Sequence, residues 1–288
     1  MSNTTHPTKI VTVTPEKAAS WLRRHKLLET QDPSMRNRTV KEDKVRCYAR
    51  DMGDEKWMVN GEPLIFAANG RILDGQHRLL ACVEADKAFR THVVENVSHE
   101  AMKTIDTGIG RSAGDQLMIF GKSNSRNLAV ALGVLWRWEQ TGKRGFEWRS
   151  RGTRLELFAT LDRHPDIEGF VTKALKLERL MSGGLAAALW YIFSEQDDVL
   201  AGSFFEALSS GTNMQEGDPV YLLRERLIRD RQEQLTSRSN KQITMDYNAE
   251  LVARAWDATK RGVKLAKLQR GSKNNQSNLL TRRTKKKV

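Results

Sequence analysis

The chain has only two cysteines, Cys47 and Cys82, far apart and outside any metal-ligand spacing, which argues against a disulfide framework or a zinc site. No stretch approaches the ~18 apolar residues that a membrane span needs. Residues Met1 to His6 are polar and lack the apolar core of a signal peptide. A cytoplasmic protein is the expectation. No GxxxxGK[ST] phosphate loop occurs, and the glycines at 108, 110 and 114 do not form the dinucleotide fingerprint. No solenoid-length repeat and no sustained heptad pattern is present, which removes repeat arrays and coiled coils.

What is present in excess is positive charge, and its location matters. Of the net charge of +13, eleven units lie in residues 258–288, which hold eleven Lys or Arg and no acid, leaving two for the rest of the chain. Such a segment, rich also in Gly, Ser, Asn and Gln, buries too little apolar surface to offset its ordering entropy, so its last part is expected to be disordered. Clustered cations bind polyphosphate backbones by counterion release. Lys260, Arg261, Lys264, Lys267, Arg270, Arg282, Arg283, Lys285, Lys286 and Lys287 are therefore the candidate nucleic-acid contacts.

Strand and helix signals alternate up to about residue 112. Lys9–Thr14 has strand composition, and Thr14-Pro15 has the pattern of a helix start. Val40–Met52 has helical spacing. Trp57, the Asn60-Gly61 pair and Leu64–Phe66 suggest a hairpin leading to Arg71-Ile72-Leu73. Gln76–Asp86 reads as a helix and Phe89–Glu95 as a strand, followed by a helix over His99–Ile105. Beyond Ser112, a good N-cap, every segment has helical period. Ser112–Gln140 could pass for a helix-turn-helix around Gly121, but its second helix is apolar nearly all round and fits a core helix better. The tryptophans, among them Trp136, Trp138, Trp148, Trp190 and Trp256, also sit at core-like spacing, although they could stack bases. The expected fold class is α+β, with a head over 1–118, a mainly helical domain over 119–262 and a basic, disordered tail over 263–288.

The chemically suggestive junction is Asp74-Gly75-Gln76-His77-Arg78, where a short strand turns directly into a helix. A first helical turn leaves unpaired N–H groups and a partial positive charge that favour an anion. Gly75 permits unusual backbone or close ligand approach. Basic residues at a helix start oppose the dipole, and a bound anion would resolve that conflict. The same His77 and Arg78 would also serve local hydrogen bonds and salt bridges, with Asp74 or Glu84 as partners. Asp74 could equally be a turn residue bonding its own backbone. A second turn, Asp106–Arg111, holds Thr107, Gly108 and Arg111 in a possible backbone nest, with Asp106 as candidate metal ligand.

The DGQHR pentapeptide with its helix, the preceding Asn37-Arg38 loop and the YARDM helix resemble the ParB/sulfiredoxin superfamily. The closest resemblance is to DGQHR-containing ParB-like proteins of bacteriophages and mobile elements. The likeness spans roughly residues 14–120 and implies a ParB/sulfiredoxin-like N-terminal domain, in host cytoplasm if phage-encoded. It implies a nucleotide, ATP or CTP, with Mg2+, at Asn37, Arg38, Gly75, Gln76, His77, Arg78, Thr107, Gly108 and Arg111, with the metal at Asp106. Gln76 stands where sulfiredoxins carry their nucleophilic cysteine and ParB proteins a glutamate, so sulfinic-acid reduction is excluded and ParB-style CTP hydrolysis is doubtful.

The leading expectation is a DNA-associated nucleotide-binding protein that hydrolyses its nucleotide or transfers a phosphoryl group, with Asp74 as base and His77 as a catalytic donor. The alternative is a non-catalytic DNA-binding regulator. A metal-dependent DNA nuclease comes last, because no clustered carboxylate set is present. The partners on this view are nucleotide and nucleic acid, DNA above all, with no membrane and a homodimer left open.

Overall fold

The computed structural model describes residues 8–31, 37, 39–98, 100–101, 105, 111–141, 146, 148, 150–235 and 243–269. The chain divides into two units, residues 1–110 and 111–288, eight residues before the boundary expected at 118. The first is mixed α and β, the second helical.

In the first unit the described elements are β1 (Thr8–Val13), α1 (Pro15–Gln31), α2 (Glu42–Gly53), β2 (Leu64–Ala67), β3 (Ile72–Asp74), α3 (Gln76–Ala85) and β4 (Phe89–Val97). The sheet order is β1-β4-β2-β3. β1 runs antiparallel to β4, with Val13 opposite Phe89. β2 is parallel to β4 and antiparallel to β3. Alternation is clear in β4, where Phe89, Thr91 and Val93 are buried and Arg90 is exposed. The three helices pack with the sheet around Val45, Met52, Leu64, Ile72, Leu79 and Val93. Thr14 caps α1 as expected, its Oγ1 accepting from Lys17 N.

The hairpin forms later than the sequence pattern suggests. Asn60-Gly61 makes a local turn, with Asn60 Oδ1 accepting from Glu62 N, but no strand precedes it. The hairpin is β2–β3, closed by a second Asn-Gly pair, Asn69-Gly70. Gly70 N donates to Ala67 O at 2.8 Å, Ala67 N donates to Arg71 O at 2.9 Å, and Gly70 has φ +86°. A type I turn followed by a left-handed glycine matches the twist of the strands it joins.

In the second unit the described helices are α4 (Ala113–Ile119), α5 (Ser125–Gln140), α6 (Arg154–Arg163), α7 (Ile167–Ala174), α8 (Gly183–Ser194), α9 (Asp198–Ser210), α10 (Pro219–Leu235) and α11 (Met245–Lys260). Their starts follow capping chemistry: Ser112 with Asp115 and Thr153 with Glu156 form capping boxes, and Asp197 Oδ1 accepts from Leu200 N. α4 packs on α5, which explains why the unit begins before α4. α8 is the central helix, buried from Gly183 through Trp190. α5 is a core helix, as its apolar pattern indicates, and Trp136, Trp138, Trp190 and Trp256 are buried rather than offered to bases. Trp256 stacks on Phe193 at 4.7 Å, and Trp190 on Phe205 at 5.0 Å.

The tail expectation needs correcting at its start. Leu265 and Leu268 pack against the helical core, and Leu265 N donates to Gly217 O, so residues 263–269 lie on this unit. These two leucines supply the apolar anchor for the start of the basic segment. Arg270, Arg282, Arg283, Lys285, Lys286 and Lys287 fall outside the described residues, as does most of the helix expected at His99–Ile105. Among the described residues no helix is long and apolar enough to cross a membrane.

Close packing of α5 on α8 depends on Gly184, where a Cβ would lie 2.4 Å from Asn127 O and 2.6 Å from Val130 Cβ. Gly184→Ala should therefore destabilise the chain by roughly 1–3 kcal/mol. Gly202→Ala, where a Cβ meets nothing within 4 Å, should stabilise α9 by about 0.5–1 kcal/mol. Denaturant titration of the two variants checks the opposite signs.

Candidate phosphate site at the start of α3

β3 ends at Asp74, Gly75 turns the chain, and α3 begins at Gln76. Gly75 has φ +99°, and a Cβ there would lie 2.2 Å from Leu64 Cδ2, so both conformation and space require glycine. Glycine at the cap position supplies no side-chain cap, and the first turn carries no acid. The first helical bond runs from Leu79 N to Gly75 O, at 3.1 Å. The N–H groups of Gln76, His77 and Arg78 are therefore left without intrahelical acceptors.

The side chains that follow do not simply face outwards. Arg78 is buried, 7% exposed. Its Nη1 donates to Glu62 O and its Nη2 to Pro63 O, both at 2.6 Å, and Nη2 also pairs with Asp74 Oδ2 at 3.0 Å. The planar fork expected to grip phosphate instead ties the segment before β2 to the end of β3. Thr91 Oγ1 donates to the same Glu62 carbonyl at 3.1 Å. Charged donors on buried carbonyls are among the stronger hydrogen bonds.

His77 is also turned inwards, 4% exposed. Its Nε2 accepts the backbone N–H of Lys41 at 3.0 Å, at the N-cap position of α2. An accepting Nε2 fixes the neutral tautomer with the proton on Nδ1. The ring expected as a catalytic donor is thus buried and bonded to main chain. Asp74, the expected base, is held by Arg78 and is partly exposed.

Asn37 is brought to the same strand. Its Nδ2 donates to Ile72 O at 3.3 Å and its backbone N donates to Glu29 Oε1 at 2.8 Å. His25 Nδ1 accepts from Ile72 N at 3.3 Å, and its Nε2 lies 3.2 Å from Glu29 Oε1. β3 is an edge strand, and these side chains occupy its outer backbone groups at Ile72. Covering an edge this way removes a site for unwanted strand pairing. Burial pushes the His25 pKa below its ordinary value, with Glu29 opposing that shift and Arg71 adding to it. Arg71 itself is 1% exposed. Neither His25 nor Arg71 stands out in the sequence, although the His25–Glu29 i,i+4 spacing is a usable signal.

The remaining expected residues fall elsewhere. Gln76 Oε1 is buried and has no hydrogen-bond partner. Arg38, Asp106, Thr107 and Gly108 lie outside the described residues, so the magnesium expected at Asp106 has no test there. Among the described residues no group of three or more His, Cys, Asp or Glu could hold a metal ion. Arg111 belongs to the second unit, where its carbonyl accepts from Arg154 Nη2. Of the basic tail, Lys260 donates to Gln196 Oε1, Arg261 pairs with Asp257, Lys264 donates to Gln215 and Lys267 is exposed.

Neither a family model, nor a curated protein, nor a solved structure matches this chain.

Arg78→Lys, which keeps the charge but loses the fork, should destabilise the chain by about 1–3 kcal/mol because one ammonium cannot reproduce the paired bonds to the Glu62 and Pro63 carbonyls. Chemical denaturation reads this directly. The depressed His25 pKa means that unfolding takes up a proton as the pH falls below about 6.5, where an unfolded histidine titrates. Stability should accordingly drop from pH 7.5 to pH 5.5. In His25→Gln that drop should be smaller, measured as the shift in denaturation midpoint between the two pH values.

Proposed function

We propose that the first unit binds the phosphate groups of a nucleotide, ATP or CTP, on the open first turn of α3, in a DNA-associated protein of ParB/sulfiredoxin-like type. The observation that carries this reading is the strand–glycine–helix junction itself. The left-handed Gly75 leaves the first turn uncapped, no acid occupies it, and Arg78 braces it from behind. The helix dipole and the backbone N–H groups pointing out of that turn then favour an anion there. Gln76 Oε1 is an acceptor that a ribose hydroxyl or base amino group would satisfy.

The division of labour differs from the one the motif suggests. Backbone N–H groups of Gln76 and Arg78 contact the ligand, whereas the His77 and Arg78 side chains hold the shape of the turn. This favours binding over turnover. His77 is buried against the Lys41 amide and Asp74 is engaged by Arg78, so neither is poised to take a proton from a nucleophile. A nucleotide-dependent DNA-binding regulator fits these placements better than a phosphotransferase or a nuclease.

Amide chemical shifts of the full chain, titrated with ATP, CTP, GTP and UTP plus magnesium, test the site. The expected result is saturable change centred on residues 76–78 with at least one nucleotide. No change with any of the four at millimolar concentration rejects the proposal. For the DNA arm, removing residues 270–288 should weaken duplex binding at least tenfold. It should also flatten its salt dependence, since each phosphate neutralised contributes about 0.9 to the slope. Unchanged gel shifts would show that the tail is not the contact.

A further inference from the structure

The second unit contains a cleft of about 410 Å3, within the size range of small-molecule sites. Its floor is one stripe of α5: Arg126, Ala129, Val130, Gly133 and Arg137. Eleven residues at 1.5 Å each place the two arginines about 16 Å apart along the helix, with small residues between them. Leu157 of α6 and Met245 of α11 add apolar walls, and Arg151 stands at the rim. Gly133 and Gly152 keep the space open: a Cβ at Gly152 would lie 3.1 Å from Trp136 Cδ2 and 3.2 Å from Leu157 Cδ2.

Among the described residues no acid lines this cleft. Arg137 is half-buried and is positioned by neutral groups only. Its Nε donates to Ser150 O and its Nη1 to Gly133 O, both at 2.8 Å, and its guanidinium lies over the Trp148 ring at 5.6 Å. Among the described residues neither Arg126 nor Arg137 is in a salt bridge. Burial lowers the Arg137 pKa, and the neighbouring charge of Arg151 acts in the same direction. Asp115 feels the charge of Arg126, and its carboxylate is occupied by the N–H and hydroxyl of Ser112.

A half-buried arginine with no counter-charge and a second arginine as its charged neighbour is unfavourable when the cleft is empty. Positioning it on two carbonyls and an aromatic face, with nothing anionic opposite, leaves Nη2 available to a ligand. We infer that this cleft binds a small organic anion, its phosphate or carboxylate held between Arg137 and Arg151 and its apolar body lying on Ala129, Val130, Leu157 and Met245. Arginine suits such a group because its planar fork pairs with two oxygens at once. The site is separate from the first turn of α3, being built wholly from the helical unit, and stands whether or not that turn binds nucleotide.

Two fluorescent probes of similar shape test the inference on the full chain: 8-anilinonaphthalene-1-sulfonate, which is anionic, and N-phenyl-1-naphthylamine, which is neutral. The sulfonate should bind saturably at one site, at least tenfold more tightly than the neutral probe. Arg151→Glu, a change at an exposed position, should weaken it tenfold or more with the far- and near-UV circular dichroism unchanged. Arg126→Gln should weaken it less. Absence of saturable sulfonate binding, equal affinity for both probes, or undiminished binding to Arg151→Glu would each overturn the inference. The Arg151→Glu chain should retain whatever nucleotide-induced amide shifts the wild type shows at residues 76–78, so the two sites can fail independently.

Discussion

The turn before α3 depends on one buried guanidinium. Arg78 reaches from the first turn of the helix to the carbonyls of Glu62 and Pro63 and to the carboxylate of Asp74. It thereby joins three points that are adjacent in space but separate in sequence: the entry to β2, the exit of β3 and the start of α3. Gly75 can hold its left-handed conformation against Leu64 because the chain on both sides is fixed. The result is a helix start with no acid in its first turn and a rigid approach, an arrangement that suits an anion. His77 adds a second tie, to the amide at the start of α2. The two basic side chains at this helix start are thus accounted for by main-chain partners, carbonyls that accept from Arg78 and an amide that donates to His77, whether or not a ligand is bound.

Much of the architecture was legible in the sequence because it rests on local rules. Thr14-Pro15, Ser112 and the strand–Asp–Gly–helix junction announce themselves through capping and turn chemistry. Trp136, Trp190 and Trp256 fit the core through periodicity alone. The hairpin was harder, since two Asn-Gly pairs compete and only tertiary pairing of β2 with β4 selects the second. Leu265 and Leu268 were hidden in a segment whose average composition is that of a solvated tail. Two apolar side chains at the right places outweigh that average locally. The directions of His77 and Arg78 were not legible either, because their partners are backbone groups, and backbone groups leave no mark on residue identity.

The edge of β3 shows the same limit. Its outer groups at Ile72 are taken up by His25 and Asn37, and Glu29 connects the two. Asn37 was singled out through family likeness, and the structure does bring it to the strand that leads into the turn. The bond it makes is to main chain. In the helical unit, α5 carries both the core face, with Leu128, Leu132 and Leu135, and an arginine-flanked stripe of small residues. A helix apolar nearly all round conceals such a stripe, because alanine and glycine count as apolar in sequence while leaving space in the fold.

The central claim is that backbone amides at the start of α3 hold phosphate while Arg78 keeps its structural bonds. A crystal structure of the full chain with ATP or CTP and magnesium tests it most directly. The account predicts a phosphate oxygen within hydrogen-bond distance of the Gln76 N–H, with the Arg78 guanidinium still on the carbonyls of Glu62 and Pro63. Nucleotide bound away from this turn, or Arg78 released from those carbonyls to grip the phosphate, would contradict it.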